Sequence, residues 1–187
     1  MSPIDEGEVH RLFARVREAD EAAFTELHRL VARRVFAFAM RRVQDEHLAE
    51  DVVVNTMLQV WNSAARFRGE SRVCTWILGI ARIKALEAMR TREPQHADID
   101  DYADVLVAEG GDGESALERW QVARIVRGCL EELSAVQREC LHLVHYEDLP
   151  LADIAAVQGV PENTVKTRLF HARRNMRSCV EREGACT

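Results

Sequence analysis

The sequence contains few of the residues that interrupt helices, with nine glycines and four prolines among 187 residues. Both residues disfavour the interior of an α-helix. Apolar residues also recur at three- and four-residue spacing through most of the chain, as they do along one face of a helix. The sequence therefore predicts an all-α fold, and its apolar share of 47% is ordinary for a globular protein.

Long apolar runs are lacking as well. No stretch reaches the roughly 18 apolar residues that a membrane span needs. The N-terminal residues MSPIDEGEVHRLF contain no basic segment followed by an apolar run, so they do not resemble a signal peptide. We expect a soluble cytoplasmic protein with no membrane insertion.

Cysteine is present without the spacing of a covalent framework. The cysteines are odd in number and form no C-x-x-C pair, which argues against a disulfide framework or a zinc site; they are Cys74, Cys129, Cys140, Cys179 and Cys186. Cys140, His142 and His145 are close in sequence, yet on a helix the first two point about 200° apart. Core or surface roles are favoured, and sensing of a metal or of redox state stays open.

Catalytic motifs are absent too. The sequence contains no P-loop, no nucleophile motif and no cluster with the spacing of metal ligands. We therefore expect neither an enzyme nor a bound cofactor or metal.

Basic residues are absent from one long segment, in a chain whose net charge is −6. From Glu93 to Glu118 there are nine acidic residues and no Lys or Arg, and Pro94 and three glycines lie in the same segment. Such a composition repels itself and is typical of an extended linker. We predict a linker over residues 93–116, between a domain at 1–92 and a domain at 117–187.

Positive charge is concentrated at two places, one in each predicted domain. Residues 82–92 carry four basic residues against Glu87 alone, and residues 164–182 carry six against Glu181 alone. A basic run on one helix is often only a solvated face. Two such runs joined by an acidic linker favour the binding of one polyanion at two points, and nucleic acid binds such patches through phosphate neutralisation and counterion release.

The segment LADIAAVQGVPENTVKTRLFHARRNM, which begins at Leu151, has the pattern of a helix-turn-helix. Gly159 can adopt the positive φ of a tight turn, and Pro161 suits the first position of the next helix. The spacing from Ala155 through Gly159 to Val165 is that of a DNA-binding helix-turn-helix. One face of the second helix is expected to bury Val165, Leu169, Ala172 and Met176.

The other face of this second helix carries the candidate DNA-contacting residues, which are Lys166, Thr167, Phe170, His171 and Arg174. An exposed Phe four residues after a Lys is unusual for a solvated face. It would fit a base edge or a thymine methyl, with Lys166 on guanine or phosphate. The alternative is that Phe170 packs on the preceding helix. Arg168 and Arg173 are assigned to the phosphate backbone or to ion pairs.

Further amphipathic stretches predict the remaining helices. Candidate core residues of the first domain form four stripes: Val9, Leu12, Phe13 and Val16; Phe24, Leu27, Leu30 and Val31; Val53, Met57, Val60 and Trp61; and Trp76, Ile77, Ile80 and Leu86. Those of the second domain are Trp120, Ile125, Leu130 and Leu133, then Cys140, Leu141 and Val144. Ser134 and Gln137 predict a capping box at the start of the second of these two helices.

Two blocks of the sequence resemble the extracytoplasmic-function (ECF) sigma factors of the bacterial sigma-70 family. They read LAEDVVVNTMLQVWNSAARFRGESRVCTWILGIAR in the first half and LEELSAVQRECLHLVHYEDLPLADIAAVQGVPENTVKTRL in the second. Their order, with an acidic linker between them, is that of sigma domain two followed by sigma domain four. The resemblance spans about residues 10–180 and implies an all-α fold of two small helical domains.

The resemblance implies that the chain binds core RNA polymerase and directs it to promoter DNA. Domain four would recognise the −35 element as duplex, through the candidate residues of the second helix. Domain two would capture the −10 element as a single strand, which needs a pocket and a basic track. The residues implied for this capture are Arg66, Phe67, Ser71, Arg72 and Val73 in a loop, and Arg82, Ile83 and Lys84 on the next helix. Trp76 is assigned to the core, with a stacking platform as the alternative.

The resemblance also implies that the third helix contacts the polymerase clamp, through Asp51, Val54, Asn55 and Gln59. The sequence departs from the family at several positions. Family members usually have Gln and then an acid where Val54 and Asn55 stand, and often Gly at Asn163 and Asn at Ile83.

A protein of this family is usually controlled by an anti-sigma factor, so we expect such a partner and a free chain that is monomeric. The alternative function is a helix-turn-helix transcriptional regulator that acts without polymerase. That function would not require the block FRGES…TWILGIAR or the acidic linker.

Overall fold

A computed structural model describes residues 5–91 and 113–184 of the chain. Over these residues it contains eight α-helices and no β-strand, so the predicted all-α fold is confirmed. The helices are α1 (Glu6–Val16), α2 (Glu21–Val43), α3 (Glu46–Ser63), α4 (Val73–Thr91), α5 (Gly113–Glu131), α6 (Ala135–His145), α7 (Leu151–Gln158) and α8 (Glu162–Gly184). One short 3-10 turn, Ala64–Arg66, follows α3. Among the described helices, none is both long enough and apolar enough to cross a membrane.

The described helices form two compact units. The first contains α1 to α4, and the second contains α5, α6, α8 and most of α7. Most of the predicted linker, residues 93–112, lies outside the described residues. The remaining part, residues 113–116, belongs to α5, so this helix begins four residues before the boundary expected at 117.

Three aspartates precede the first three of the four helices in the first unit. Asp5, Asp20 and Asp45 precede α1, α2 and α3, and each side chain accepts a hydrogen bond from a backbone N–H of the first turn. An aspartate at this position satisfies a donor that the helix leaves unpaired and places negative charge at the positive end of the helix dipole. The start of each helix is therefore encoded locally.

The core of the first unit is formed by one face of every helix. α2 packs against α1, α3 and α4, and α3 also packs against α4. The predicted stripe of α1 is confirmed, because all four of its residues are buried. Of the predicted residues of α2 and α3, those that are buried are Leu27, Val31, Val53, Met57 and Val60, while Phe24, Leu30 and Trp61 are half-buried.

The predicted stripe of α4 is only partly right. Its buried residues are Val73, Cys74, Thr75, Ile77, Leu78, Ala81 and Ala85. Trp76, Ile80 and Leu86 are half-buried at the edge of this core. Of the four predicted residues, only Ile77 is buried, because the buried face of α4 runs through Cys74, Ile77, Leu78, Ala81 and Ala85.

In the second unit, α8 packs against both α5 and α6. The predicted capping box is confirmed at the start of α6, where the Ser134 backbone N–H donates to Gln137 Oε1 at 3.3 Å. Leu133, Cys140 and Leu141 are buried as expected. Leu143, which the sequence analysis did not select, is fully buried.

One arginine closes the carboxyl end of α5. Arg138 Nε donates to the Leu130 carbonyl oxygen at 2.9 Å, and Arg138 Nη2 donates to those of Glu131 at 3.1 Å and Leu133 at 3.3 Å. The last carbonyl groups of a helix have no partner within it and favour a nearby cation. Arg138 therefore joins the end of α5 to the start of α6.

The expectation that Trp120 lies in the core is wrong. The side chain is 59% exposed, and its ring faces the Arg124 guanidinium, whose carbon lies 5.3 Å from the ring centroid. Ile125 and Leu130, the other predicted core residues of α5, are half-buried. Helical periodicity defines which residues share a face, but it does not define how far along a helix that face remains covered.

The expectation that the cysteines form no disulfide framework is also wrong. A disulfide joins Cys129 of α5 to Cys179 of α8, with the two Cα atoms 5.6 Å apart. The two cysteines are 50 positions apart in the sequence, so no local motif announces their contact. Cys74 and Cys140 are buried and belong to no disulfide, and Cys186 lies outside the described residues.

Candidate nucleic-acid interface

The connection between α7 and α8 has the expected turn. Gly159 has φ of 65°, the left-handed conformation that glycine adopts without steric cost. The Val160 N–H donates to the Ala155 carbonyl oxygen at 3.1 Å across the turn. Pro161 stands just before α8, and its carbonyl oxygen accepts from the Thr164 N–H at 2.9 Å. The helix therefore begins one residue later than the sequence indicated.

The buried face of α8 follows the predicted stripe. Val165, Leu169 and Ala172 are buried, and Met176 is half-buried. Cys179 extends the same face by one more turn and carries the disulfide. This anchorage fixes the rotation of α8 about its axis, and so determines which side chains point outward.

The outward face of α8 carries most of the predicted DNA-contacting residues. Lys166, Thr167, Phe170 and Arg174 are exposed, and His171 is half-buried. Phe170 is 63% exposed, so it does not pack under the preceding helix. Its ring meets that of His171 edge-on, with centroids 5.4 Å apart. A large apolar ring and cationic side chains thus share one solvent-facing surface.

Two of these polar groups are engaged within α8. Lys166 Nζ lies 2.8 Å from Glu162 Oε1, one turn earlier, and the Thr167 hydroxyl donates to the Asn163 carbonyl oxygen at 3.0 Å. The ion pair is about half exposed, so it contributes little to stability. Lys166 can therefore exchange Glu162 for another anion at a small cost in free energy.

In the first unit, the loop between α3 and α4 is held by three aromatic rings. The Phe67 ring lies 5.2 Å from that of Phe13 and 5.1 Å from that of Trp76, and the Phe13 and Trp76 rings are 5.5 Å apart. Aromatic pairs at these separations attract one another beyond the effect of burial. Phe67 therefore anchors the loop on α1 and α4, and Trp76 is shared between this cluster and the surface.

The other loop residues of the predicted −10 site differ in exposure. Arg66 and Arg72 are exposed, and Ser71 is half-buried. Val73 is only 3% exposed, so the predicted contact of Val73 with DNA is not supported. Its side chain is the first core residue of α4, and burial there leaves no apolar surface to offer a base.

A cavity of about 380 Å³ lies between the carboxyl end of α3 and the middle of α4. Its apolar walls are Trp76, Ile80 and Ile83. Its polar lining is Gln59, Ser63, Arg66, Lys84 and Glu87. Three residues predicted for the −10 site, namely Arg66, Ile83 and Lys84, therefore line one cavity, while Arg82 is half-buried outside its lining.

The outer face of α3 carries the residues predicted to contact polymerase. Asp51, Val54, Asn55 and Gln59 are all exposed, and Val54 is 63% exposed. Leu58, which was not among the predicted residues, lies one turn after Val54 and is 56% exposed. Two apolar side chains on successive turns form an uncovered strip, which is a feature of protein-binding surfaces.

The residues once considered for metal or redox sensing do not form a cluster. Cys140 is buried, and His145 is exposed. His142 Nε2 lies 3.3 Å from Glu147 Oε1 in a largely buried pair. Within the part of the chain that the structure describes, no group of three or more potential ligands could hold a metal ion.

Two family models match the chain. The one described as Sigma-70 region 2 matches residues 27–94, and the one described as Sigma-70, region 4 matches residues 123–176. The first match therefore covers most of α2 and all of α3 and α4. The second covers about the second half of α5, all of α6 and α7, and the first two-thirds of α8.

Curated relatives span nearly the whole chain. The ECF RNA polymerase sigma factor SigK of Mycobacterium tuberculosis (strain ATCC 25618 / H37Rv) is 29% identical over 181 residues, which cover 91% of this chain and 92% of the relative. SigK of Mycolicibacterium vanbaalenii is 28% identical over 184 residues, which cover 95% of this chain and 92% of the relative.

Solved structures share the fold. CnrH, in complex with the cytosolic domain of CnrY, matches with a TM-score of 0.63 and 23% identity over 95% of this chain and 98% of that one. The sigma factor RpoE from Bartonella quintana, in complex with the anti-sigma factor NepR, matches with a TM-score of 0.59 and 23% identity. The match covers 84% of this chain and 96% of that one.

Proposed function

The chain belongs to the sigma-70 family, since region 2 and region 4 match its two halves in order, and from this premise we propose that it is an alternative sigma factor of the ECF group. It binds core RNA polymerase in the cytoplasm and directs promoter-specific initiation. The catalytic centre of RNA synthesis belongs to the polymerase, so the chain itself is not an enzyme and needs no cofactor.

The observation that carries this function is that the two units present different kinds of binding surface. One presents a recognition helix with an exposed Phe170 and basic neighbours, which suits the major groove of a duplex. The other presents a cavity with aromatic, apolar and cationic walls, which suits an unstacked base and its backbone. A protein that acts on both duplex and melted DNA needs both kinds of site.

In this proposal α8 recognises the −35 element. Lys166 and Phe170 contact base edges, Thr167 and His171 lie beside them, and Arg174 contacts the backbone. Lys166 releases Glu162 when it binds, because the pair is exposed and weak.

The −10 element is bound as a single strand by the first unit. Arg66, Arg72, Arg82 and Lys84 follow the phosphate backbone, while Ser71 and Ile83 face the bases. Phe67 acts indirectly, since its ring is occupied by Phe13 and Trp76 and holds the loop in place.

The polymerase clamp binds the outer face of α3, through Asp51, Val54 and Asn55 together with Leu58. Gln59 lies at the border of this face and also lines the cavity, so it borders both partners. The exposed apolar strip is covered when polymerase is bound. An anti-sigma factor that covers the same strip would compete with polymerase. We propose that such a partner keeps the chain, which is a monomer when free, from binding polymerase.

Reconstitution with core RNA polymerase tests this function. We expect the purified chain to bind core and to direct transcription from a limited set of genomic promoters. Val54→Asp should weaken core binding by roughly tenfold or more, because it places a charge in an apolar contact. Ala22→Asp, on an exposed site of α2, is the matched control and should bind as the wild type does.

The competing function is a helix-turn-helix regulator that acts without polymerase. The match of region 2 and the cavity of the first unit do not favour it, because a regulator of that kind needs neither. Sequence-specific DNA binding by the free chain, together with no binding to core polymerase, would establish the regulator instead.

A further inference from the structure

Phe13 is a buried residue of α1 to which no DNA contact has been assigned. The helix that carries it ends at Val16, before the residues matched by Sigma-70 region 2, which begin at 27. A buried ring at such a place ordinarily fills the core and does nothing else. The contacts of the Phe13 ring indicate a second role.

The Phe13 ring joins the loop between α3 and α4 to the first turn of α4. Its centroid lies 5.2 Å from that of Phe67 and 5.5 Å from that of Trp76, with interplanar angles of 85° and 70°. Edge-to-face aromatic pairs of this kind have a preferred arrangement as well as an attraction. Phe13 therefore restricts both the position and the tilt of the two rings that it meets.

The charged residues at the tip of this loop hold it only weakly. Arg68 Nη1 and Glu70 Oε1 are 3.9 Å apart and both side chains are exposed, so this pair contributes little. At the start of the loop, the Phe67 N–H donates to the Ala64 carbonyl oxygen at 3.1 Å. The position of the loop therefore depends largely on where the Phe67 ring is seated.

Both rings that Phe13 meets belong to parts of the proposed −10 site. Phe67 directly follows Arg66 in the chain, and Arg66 and Trp76 both line the cavity between α3 and α4. A binding site keeps its affinity only if its members are held to within about 0.5 Å of their productive positions. Displacement of the Phe13 ring would therefore disturb the loop and the cavity wall together.

We propose that Phe13 is a positioning residue for binding of the −10 strand, which acts by fixing the loop through Phe67 and the cavity wall through Trp76. The inference rests on the proposed function and extends it to α1, a helix that the assigned DNA contacts do not include. Without the Phe13 ring, the first unit folds and binds polymerase but binds the melted strand less well.

The test uses holoenzyme formed from the full chain and core polymerase. One probe is a promoter fragment recovered by the transcription experiment above and unpaired across the −10 element, and the other is a duplex that contains the −35 element alone. Affinities for both probes are measured for the wild type, for Phe13→Leu, for Phe67→Leu and for the double variant. Phe38→Leu is the matched control, because it makes the same change at a buried ring of the same unit that faces the Arg42 guanidinium.

We expect Phe13→Leu to weaken binding to the unpaired −10 fragment by roughly fivefold, because it removes two edge-to-face contacts. Binding to core polymerase and to the −35 duplex should stay as in the wild type, and Phe38→Leu should bind both probes as the wild type does. If Phe67→Leu also loses about fivefold, independent effects would multiply to about 25-fold in the double variant. We expect roughly tenfold or less, because both substitutions break the same contact.

Phe13→Met, which fills the space without a ring, carries the same expectation and keeps the test available if Phe13→Leu does not fold. The inference is overturned if the folded Phe13 variants bind the −10 fragment as the wild type does, if Phe38→Leu loses as much as they do, or if the losses at Phe13 and Phe67 multiply. Failure of the wild-type holoenzyme to bind the unpaired fragment better than unrelated DNA would overturn the proposed function instead.

Discussion

Phe170 shows how the role of a side chain depends on which face of a helix is anchored. Val165, Leu169 and Ala172 turn inward, so the Phe170 ring faces solvent and is available to DNA. The sequence was sufficient to predict this, because α8 is long and regular and its stripe is unbroken. The burial of Val73 was not predictable in the same way, since it lies at a junction where a loop becomes a helix.

At this scale we predict that Phe170→Ala and Lys166→Ala each weaken −35 binding by roughly 1–3 kcal/mol, because each removes a contact to a base edge. The measurement is titration of holoenzyme on a fragment that contains the −35 duplex. Val180→Ala, at a partly exposed site in the last turns of α8, serves as the control. Affinities equal to the control, with unchanged helical content, would show that these residues do not contact the element.

Asp20 allows a prediction about proton binding. The Ala23 N–H and then the Arg15 guanidinium, which lies 2.7 Å from Asp20 Oδ2, hold the pKa of this carboxyl below its ordinary value of 3.8. Because the folded-state pKa is depressed, the ionised Asp20 carboxyl stabilises the folded state. This stabilisation is complete above 3.8 and is lost as the pH falls through the folded-state pKa. NMR titration of the carboxyl carbon should give a midpoint below 3.8, and Arg15→Leu should raise it. A midpoint unaffected by Arg15→Leu would leave the backbone N–H as the sole cause.

Among elements, the junction of α5 and α6 depends on a single side chain. Arg138 is bonded to three carbonyl oxygens at the end of α5, so Arg138→Ala should reduce the free energy of unfolding of the second unit by about 2 kcal/mol. Chemical denaturation of the full chain, followed by hydrogen exchange of the backbone amides of α5 and α6, measures this. Arg173→Ala, on an exposed site of α8, should change it by less than about 0.5 kcal/mol.

Equal losses for the Arg138 and Arg173 variants would mean that the three hydrogen bonds are replaced by water without cost. The sequence predicted the capping box of this junction, because Ser134 and Gln137 have the fixed spacing of that motif. The sequence did not predict the contacts of Arg138. The carbonyl groups that Arg138 binds lie at the end of the preceding helix and come within its reach only after the turn has formed.

Elements also show why the helices were predictable and the α3–α4 cavity was not. Amphipathic stripes are local signals, so α1 and α8 could be located from sequence alone. The cavity is formed by side chains from two helices and a loop, which include Gln59, Trp76 and Glu87. Its members share no spacing, and Glu87 in particular looked like the one acid in a basic run.

For the whole molecule, the Cys129–Cys179 disulfide is the main constraint that the sequence did not reveal. Closing a loop of this length restricts the unfolded chain, so we predict that reduction lowers the stability of the second unit by about 4 kcal/mol. Denaturation with and without a reductant measures the loss. The double variant Cys129→Ser/Cys179→Ser should be insensitive to the reductant, and equal wild-type stability in both conditions would contradict the prediction.

The acidic segment before the second unit supports a prediction at the same scale. Asp98, Asp100, Asp101 and Asp104 add negative charge to a chain that must approach DNA, so their replacement by Asn should raise DNA binding by the free chain. The same variant should initiate transcription less well in holoenzyme. Binding and initiation both equal to the wild type would identify the segment as a passive tether.

The disulfide also determines how the second unit responds to force. It links α5 to α8, so α6, α7 and most of α8 lie inside a covalent ring, and tension applied at the two chain ends passes through the sulfur atoms instead of through the helix-turn-helix. In an optical trap the oxidised protein would therefore unfold with a contour length shorter by roughly 170 Å than the reduced protein, the extended length of the 50-residue separation. The recognition helix is mechanically shielded for as long as that single bond is intact.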